Sequence, residues 1–177
     1  DEVQITGGEF AMNLQLTDAW NVYGGIAITN AIIKENSNRP QTEGNRVPYA
    51  PEFTANFGTE YIKPTIWDNV EFIGRVDYAV VGPTWFAEPQ ENDQTLTLFT
   101  PFGFGLADWS LAQRDTYGLM DVRVGFQSER WGAFMTVKNL LDENFLQEVI
   151  PAPEFGGSFI HPGAERAWAV ELSYSFF

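Results

Sequence analysis

Apolar and polar residues alternate along most of the chain with a period of two. Phe10, Met12, Leu14 and Leu16 alternate with Glu9, Ala11, Asn13 and Gln15. Trp20, Val22, Ile26, Ile28 and Ile32 share one parity, broken by Gly24 and Asn30. Phe53, Ala55, Phe57 and Tyr61 alternate with Glu52, Thr54, Asn56 and Glu60, and Val70, Phe72, Val76, Tyr78 and Val80 with Glu71, Arg75 and Asp77. The pattern returns at Met120–Phe126, Trp131–Val137 and Trp168–Phe176. Successive side chains of a strand point to opposite faces, so this alternation predicts strands with one apolar and one polar face. Seven are expected, over 2–16, 20–33, 51–62, 69–81, 115–127, 131–140 and 165–177. The best helical stretch, Leu106–Gln113, is short, sits among Gly and Pro, and reads as loop.

The connections alternate in length. Thr17–Ala19, Lys63–Asn69 and Ser128–Arg130 are short, whereas Lys34–Ala50, Gly82–Arg114 and Leu141–Ala164 are long. Loops of that length are uncommon inside a compact soluble domain. Short turns on one rim and long loops on the other mark a bacterial outer-membrane barrel, and the strands are long enough to cross the hydrocarbon at a tilt. Trp20, Tyr61, Trp131, Trp168, Tyr174 and Phe176 lie near strand ends, where interfacial aromatic girdles belong. The expected fold is therefore all-β, an antiparallel transmembrane β-barrel segment with three long extracellular loops. The apolar parity then faces lipid, and the polar parity, with Arg75, Asp77, Asp121 and Arg123, lines the lumen. A soluble β-sandwich would alternate in the same way but bury its apolar parity. Single-chain bacterial barrels have an even number of strands, so an odd count of seven implies a piece of a larger barrel, upstream strands missing.

Composition narrows the function. Ten Lys plus Arg against 24 Asp plus Glu give a formal net charge of −14, which argues against nucleic acid, whose phosphates need clustered cations. Aromatics make up 15% and charged residues only 19%, unlike a disordered chain. The absence of cysteine excludes disulfides, thiolate metal sites and thiol nucleophiles. DEVQITGGEF has neither the basic start nor the apolar stretch of a secretory leader, and no run of about 18 apolar residues suggests a membrane helix.

Candidate chemistry lies in the loops. The Gly82–Arg114 segment carries Trp85, Phe86, Phe99, Phe102, Phe104 and Trp109, with acids Glu88, Glu91, Asp93 and Asp108 and no cation before Arg114. Such aromatics either stack on a captured ligand or cover one another. Leu141–Ala164 holds Asp142, Glu143, Glu148 and Glu154 and no Lys or Arg. These acids form a solvated surface or hold divalent ions bridging to lipopolysaccharide. No carboxylate spacing resembles a dedicated calcium loop, and His161, the single histidine, forms no metal cluster alone but could touch an outer-loop ligand. Arg75, Asp77, Asp121 and Arg123 are expected to pair across neighbouring strands or to contact substrate or a plug. No G-x-S-x-G, H-E-x-x-H or G-x-x-x-x-G-K occurs, so neither catalysis nor a cofactor is expected.

Five segments, in order, resemble TonB-dependent outer-membrane receptors. GGEFAMNLQLTDAW resembles the family's G-x-E strand, with Glu9, a turn and Trp20. NRVPYAPEFTANFGTEY resembles a strand entry with Pro48, Ala50 and Pro51, and RVDYAVVGPTWF a strand leading to a long loop. YGLMDVRVGFQSERWGAFMTVKNLLDENF is the most distinctive, with Asp121, Arg123, Trp131, Val137, Asn139, Leu140 and Asp142. HPGAERAWAVELSYSFF resembles the closing strand, with Pro162, Gly163 and Arg166, although Phe177 falls on the wrong parity after Phe176. The resemblance implies that residues 1–177 are the C-terminal part of a receptor barrel, the last seven of 22 strands around a plugged lumen. It also implies partners: membrane lipid and lipopolysaccharide, the rest of the barrel, a plug, TonB acting through an absent N-terminal region, and a small-molecule ligand, most commonly an iron–siderophore. A passive porin-like or structural barrel remains an alternative, as does a soluble sandwich module. An outer-membrane enzyme would need a Ser/His/Asp cluster at one rim.

Overall fold

The computed structural model describes residues 1–177 except 68, 92–94, 153, 154, 156 and 177. Asp93, Glu154 and Phe177, invoked above, lie outside the described residues. The strands are β1 (Glu2–Thr17), β2 (Trp20–Glu35), β3 (Phe53–Pro64), β4 (Val70–Val81), β5 (Thr84–Trp85), β6 (Gln113–Arg114), β7 (Tyr117–Ser128), β8 (Trp131–Lys138), β9 (Leu146–Ala152), β10 (Gly157–Pro162) and β11 (Ala167–Tyr174). Seven of them form one antiparallel sheet in the order β1-β2-β3-β4-β7-β8-β11. These are the seven strands the alternation predicts. β1 and β11 do not meet, so the barrel is open in this fragment.

The register carries the alternation across the whole sheet. Leu14, Val22, Thr59, Val76, Val122, Val137 and Trp168 fall in one row. One residue along each strand, Gln15, Asn21, Glu60, Arg75, Arg123, Thr136 and Ala169 form the row on the other face. A slip by one residue would exchange the faces, so tight turns matter. In one turn the Thr17 hydroxyl accepts from Ala19 N at 3.2 Å, and in another the Ser128 hydroxyl accepts from Arg130 N at 3.3 Å.

No second layer covers the apolar face. Phe57 is 54% exposed, Val124 40% and Leu172 77%. Phe72 is half-buried, against Tyr61 and Phe126 of the same face at centroid distances of 6.5 and 5.7 Å. A sandwich would bury these side chains in a core, and no such core exists among the described residues. Within the strands, aromatics lie across glycines: Tyr23 over Gly58, Tyr78 over Gly118 and Phe134 over Gly125. A side chain at any of these glycines would occupy the space of the ring, which explains glycine in strand interiors.

Two features depart from the sequence reading, and a third refines it. The long loops contain two small ladders, β5 with β6 and β9 with β10. Pro151 and Pro162 mask the second as a sequence pattern, because proline is confined to strand edges. Leu106–Gln113 is loop, as read, around a 3-10 turn, Trp109–Ala112, whose preceding Asp108 side chain accepts from Ser110 N, before Gln113 enters β6. The strand expected over 131–140 stops at Lys138 because Asn139 takes a left-handed backbone, φ 50°. Among the described residues no helix is long and apolar enough to cross a membrane.

Candidate functional site

The three long loops leave the same rim and pack on one another. Trp85, Trp109 and Ala112 of the second loop form a small core, with Ala87 and Ala107 of the same loop against it. Tyr49, from the first loop, donates its backbone N–H to Trp85 O at 2.8 Å and meets Phe86 edge-on at 5.4 Å. Its hydroxyl donates to Glu148 of the third loop at 3.1 Å. Partial burial pushes the Tyr49 phenol above its ordinary value, and the bond to Glu148 and the charge of that carboxylate add to the shift. Arg114 fastens the second loop to the third, donating to Leu146 O at 3.1 Å, Gln147 O at 3.3 Å and the Thr84 hydroxyl at 3.0 Å. Its guanidinium lies over Phe86 and Tyr117, and Tyr117 stacks on Phe145 at 4.2 Å. Gln90 exchanges two hydrogen bonds with the backbone of Arg46. The rim is thus a cross-linked platform rather than three independent loops.

The predicted aromatic candidates divide into two sets. Trp85, Phe86 and Trp109 are only 8%, 6% and 8% exposed, so their rings hold the platform together and offer no face to a ligand. Phe102 and Phe104 are 78% and 66% exposed. The 3-10 turn Thr100–Phe102, closed by left-handed Gly103 at φ 87°, lifts them, and Phe104 meets Phe99 edge-on at 6.1 Å. His161 is exposed on β10, directly opposite Glu148 of β9. Phe155, Phe159 and Ile160 are also exposed here; their loop reads in sequence as merely acidic. The adjacent apolar pair Phe159–Ile160, in an otherwise polar stretch, was the available signal. Several loop acids are occupied: Glu88 pairs with Arg39 at 3.2 Å and Asp142 with Arg166 at 3.3 Å. Among the described residues no three His, Cys, Asp or Glu side chains gather in a way that would hold a metal ion.

The polar face carries a second constellation. Arg75 grips Asp77 with Nε at 2.7 Å and Nη2 at 3.0 Å, and the Tyr23 hydroxyl donates to the same carboxylate. Arg123 donates to Glu171 at 3.1 Å and to the Thr136 hydroxyl at 3.3 Å, over the Phe134 ring at 4.0 Å. The expected pairing among Arg75, Asp77, Asp121 and Arg123 across adjacent strands does not form. The register sets Arg75 opposite Arg123 and Asp77 opposite Asp121, and like charges directly opposite repel. Arg75 is therefore neutralised along its own strand, and Arg123 reaches over β8 to β11. A groove of about 320 Å³ runs between Glu60, Arg75, Arg123, Phe134 and Glu171.

Asp121 serves a different purpose. Its carboxylate accepts from Asn139 N at 2.9 Å. The Asn139 side chain donates to Glu143 O at 2.9 Å and Ala164 O at 3.2 Å, and accepts from Glu143 N at 2.9 Å. One buried residue thus joins the end of β8 to both roots of the third loop. The Asp-x-Arg and Val-x-Asn-Leu-x-Asp segments, separate in sequence, meet here.

A sheet with one uncovered apolar face, one polar charged face, short turns at one rim and packed loops at the other is a segment of receptor-type β-barrel wall. A family model described as TonB dependent receptor-like, beta-barrel, matches residues 1–140, and the chain belongs to that family. Its fold is similar to that of the ferric yersiniabactin uptake receptor FyuA from Yersinia pestis, with TM-score 0.75 and 19% identity. That match covers 99% of this chain and 24% of the other. The ferric-catecholate import receptor Fiu from E. coli K12 is similar at TM-score 0.61 and 19% identity, over 97% of this chain and 21% of Fiu. The copper transporter OprC is similar at TM-score 0.60 and 18% identity, over 98% of this chain and 23% of OprC. The chain therefore spans under a quarter of the length of these proteins.

Proposed function

We propose that the chain is the C-terminal part of an outer-membrane receptor barrel that imports a scarce nutrient, most simply an iron–siderophore, and performs no catalysis itself. The uncovered apolar face carries this reading, because seven strands of exposed Phe, Val, Leu and Trp are stable only against lipid tails. The long-loop rim is then extracellular, with lipopolysaccharide around it. Phe102 and Phe104 stand out as the ligand-capturing pair, since exposed apolar patches mark interaction sites. Phe159 and His161, exposed on β10 of the third loop, are further candidates. The groove beside Arg75 and Arg123 faces the lumen, where a plug and a passing ligand would meet its charges. Energy would reach the plug from TonB. The named cargoes of the similar proteins, two ferric complexes and copper, favour a chelated metal.

The test is uptake of radioactive ferric catecholate and ferric hydroxamate complexes by cells carrying the full-length protein, with and without TonB. Saturable, TonB-dependent uptake of one complex is expected. Uptake that persists unchanged without TonB would refute active import and favour a passive pore.

A further inference from the structure

We propose that the apolar face carries a site for one anionic glycerophospholipid of the periplasmic leaflet, an inference that rests on the membrane reading above. A groove of about 470 Å³ opens on this face beside the short-turn rim. Trp20, Tyr61, Gly74 and Val124 lie in one row across β2, β3, β4 and β7. Gly74 leaves a slot between Tyr61 and Val124, and Phe72 leans over it: a Cβ there would stand 3.2 Å from the Phe72 ring edge. Trp20 is fixed beyond Tyr61 by its indole N–H, which donates to the Thr59 hydroxyl at 2.6 Å. A polar metabolite would leave its hydrogen-bonding groups unsatisfied against these walls, whereas an acyl chain would not.

The charge pattern supplies the headgroup. On the apolar parity of the seven long strands, the charged residues are Glu2 and Lys34 at the long-loop rim and Lys63 at the short-turn rim. Lys63 is directly opposite Phe72, one row rimward of Gly74, which places it about 7 Å farther along the strand. It is exposed and makes no ion pair among the described residues. A lysine at that depth extends its ammonium to the headgroup level, where it attracts an anionic phosphate. The combination of an aromatic-walled slot and a cation one row outward selects an anionic lipid over a zwitterionic one.

The test uses the full-length protein, reconstituted in vesicles and then examined by native mass spectrometry with palmitoyl-oleoyl-phosphatidylglycerol or palmitoyl-oleoyl-phosphatidylcholine as the probe. The wild type is expected to retain one phosphatidylglycerol preferentially. Lys63→Gln should weaken that binding about fivefold, the factor that corresponds to roughly 1 kcal/mol per surface cation. Gly74→Leu should abolish retention of both lipids by filling the slot. Heat-modifiable gel migration checks that each variant is a folded barrel. Retention of phosphatidylglycerol undiminished in both folded variants would overturn the site, as would equal retention of the two lipids by the wild type. A wild type that fails to float with vesicles would instead overturn the membrane reading.

Discussion

Asn139→Ala is the most informative perturbation of the rim. Three side-chain hydrogen bonds disappear, to Glu143 O, Ala164 O and from Glu143 N. Each contributes about 0.5–1.5 kcal/mol net, so the gross loss is about 2–4 kcal/mol. Glu143 and Ala164 are exposed, and water recovers part of that. Alanine at φ 50° adds about 1–2 kcal/mol of backbone strain. The net is about 2–3 kcal/mol, all of it local to the roots of the third loop. Proteolysis of a transiently opened segment follows its open population, so cleavage within 140–166 should accelerate about 30–150-fold in the full-length protein. Asn139→Gly removes the strain but not the lost bonds, and should fall between wild type and alanine. Cleavage of Asn139→Ala at the wild-type rate would refute the argument that this residue fastens the loop.

Four further outcomes follow from the same geometry. Arg114→Met removes two donated bonds to the third loop and one within the second while keeping an apolar stem, and should loosen the second and third loops together in hydrogen exchange, with β1–β4 unchanged. Phe102→Ser should weaken binding of the ferric complex about tenfold with no change in barrel unfolding, whereas Trp109→Ala should cost about 3–5 kcal/mol of loop stability, read by proteolysis. The Tyr49–Glu148 tether should hold below pH about 10 and be lost at higher pH. A phenol whose value is raised on folding contributes stability that is complete below the ordinary value and disappears as pH passes the raised one. Tyr49→Phe should abolish that alkaline step in loop proteolysis. Glu88→Gln should be nearly silent, because the Arg39–Glu88 pair is 56% and 40% exposed and such pairs contribute at most about 1 kcal/mol.

Much of the barrel wall is legible in the sequence because alternation is a local signal that the pleat preserves. Each of the seven long strands was visible from its own residues, and the face of Phe57 or Val124 follows from parity alone. What sequence cannot carry is register between strands. Nothing local says that Arg75 stands opposite Arg123, so the pairing of these charges could not be read, and only the paired sheet shows why Arg123 reaches to Glu171. The loops are legible in composition but not in arrangement. Trp85 and Phe102 look alike in a string of aromatics, yet one is the keystone of a small core and the other stands in solvent. That separation depends on contacts between loops tens of residues apart, such as Tyr49 with Phe86. The β9–β10 hairpin was hidden by its prolines, and the clasp at Asn139 needs both Asp121 and Ala164, which lie 18 and 25 residues away.

The decisive measurement is spin-label accessibility on the full-length protein in vesicles, using single cysteines at consecutive positions along β1, β3, β7 and β11; this chain has no cysteine of its own, and any outside it is replaced by serine. Labels at Leu14, Phe57, Val124 and Leu172 should relax with dissolved oxygen and not with a water-soluble nickel reagent. Labels one residue earlier, at Asn13, Asn56, Arg123 and Glu171, should show the opposite preference. Labels at the first set that respond to neither reagent would mean that these side chains are enclosed by protein, and the receptor-barrel account would be wrong.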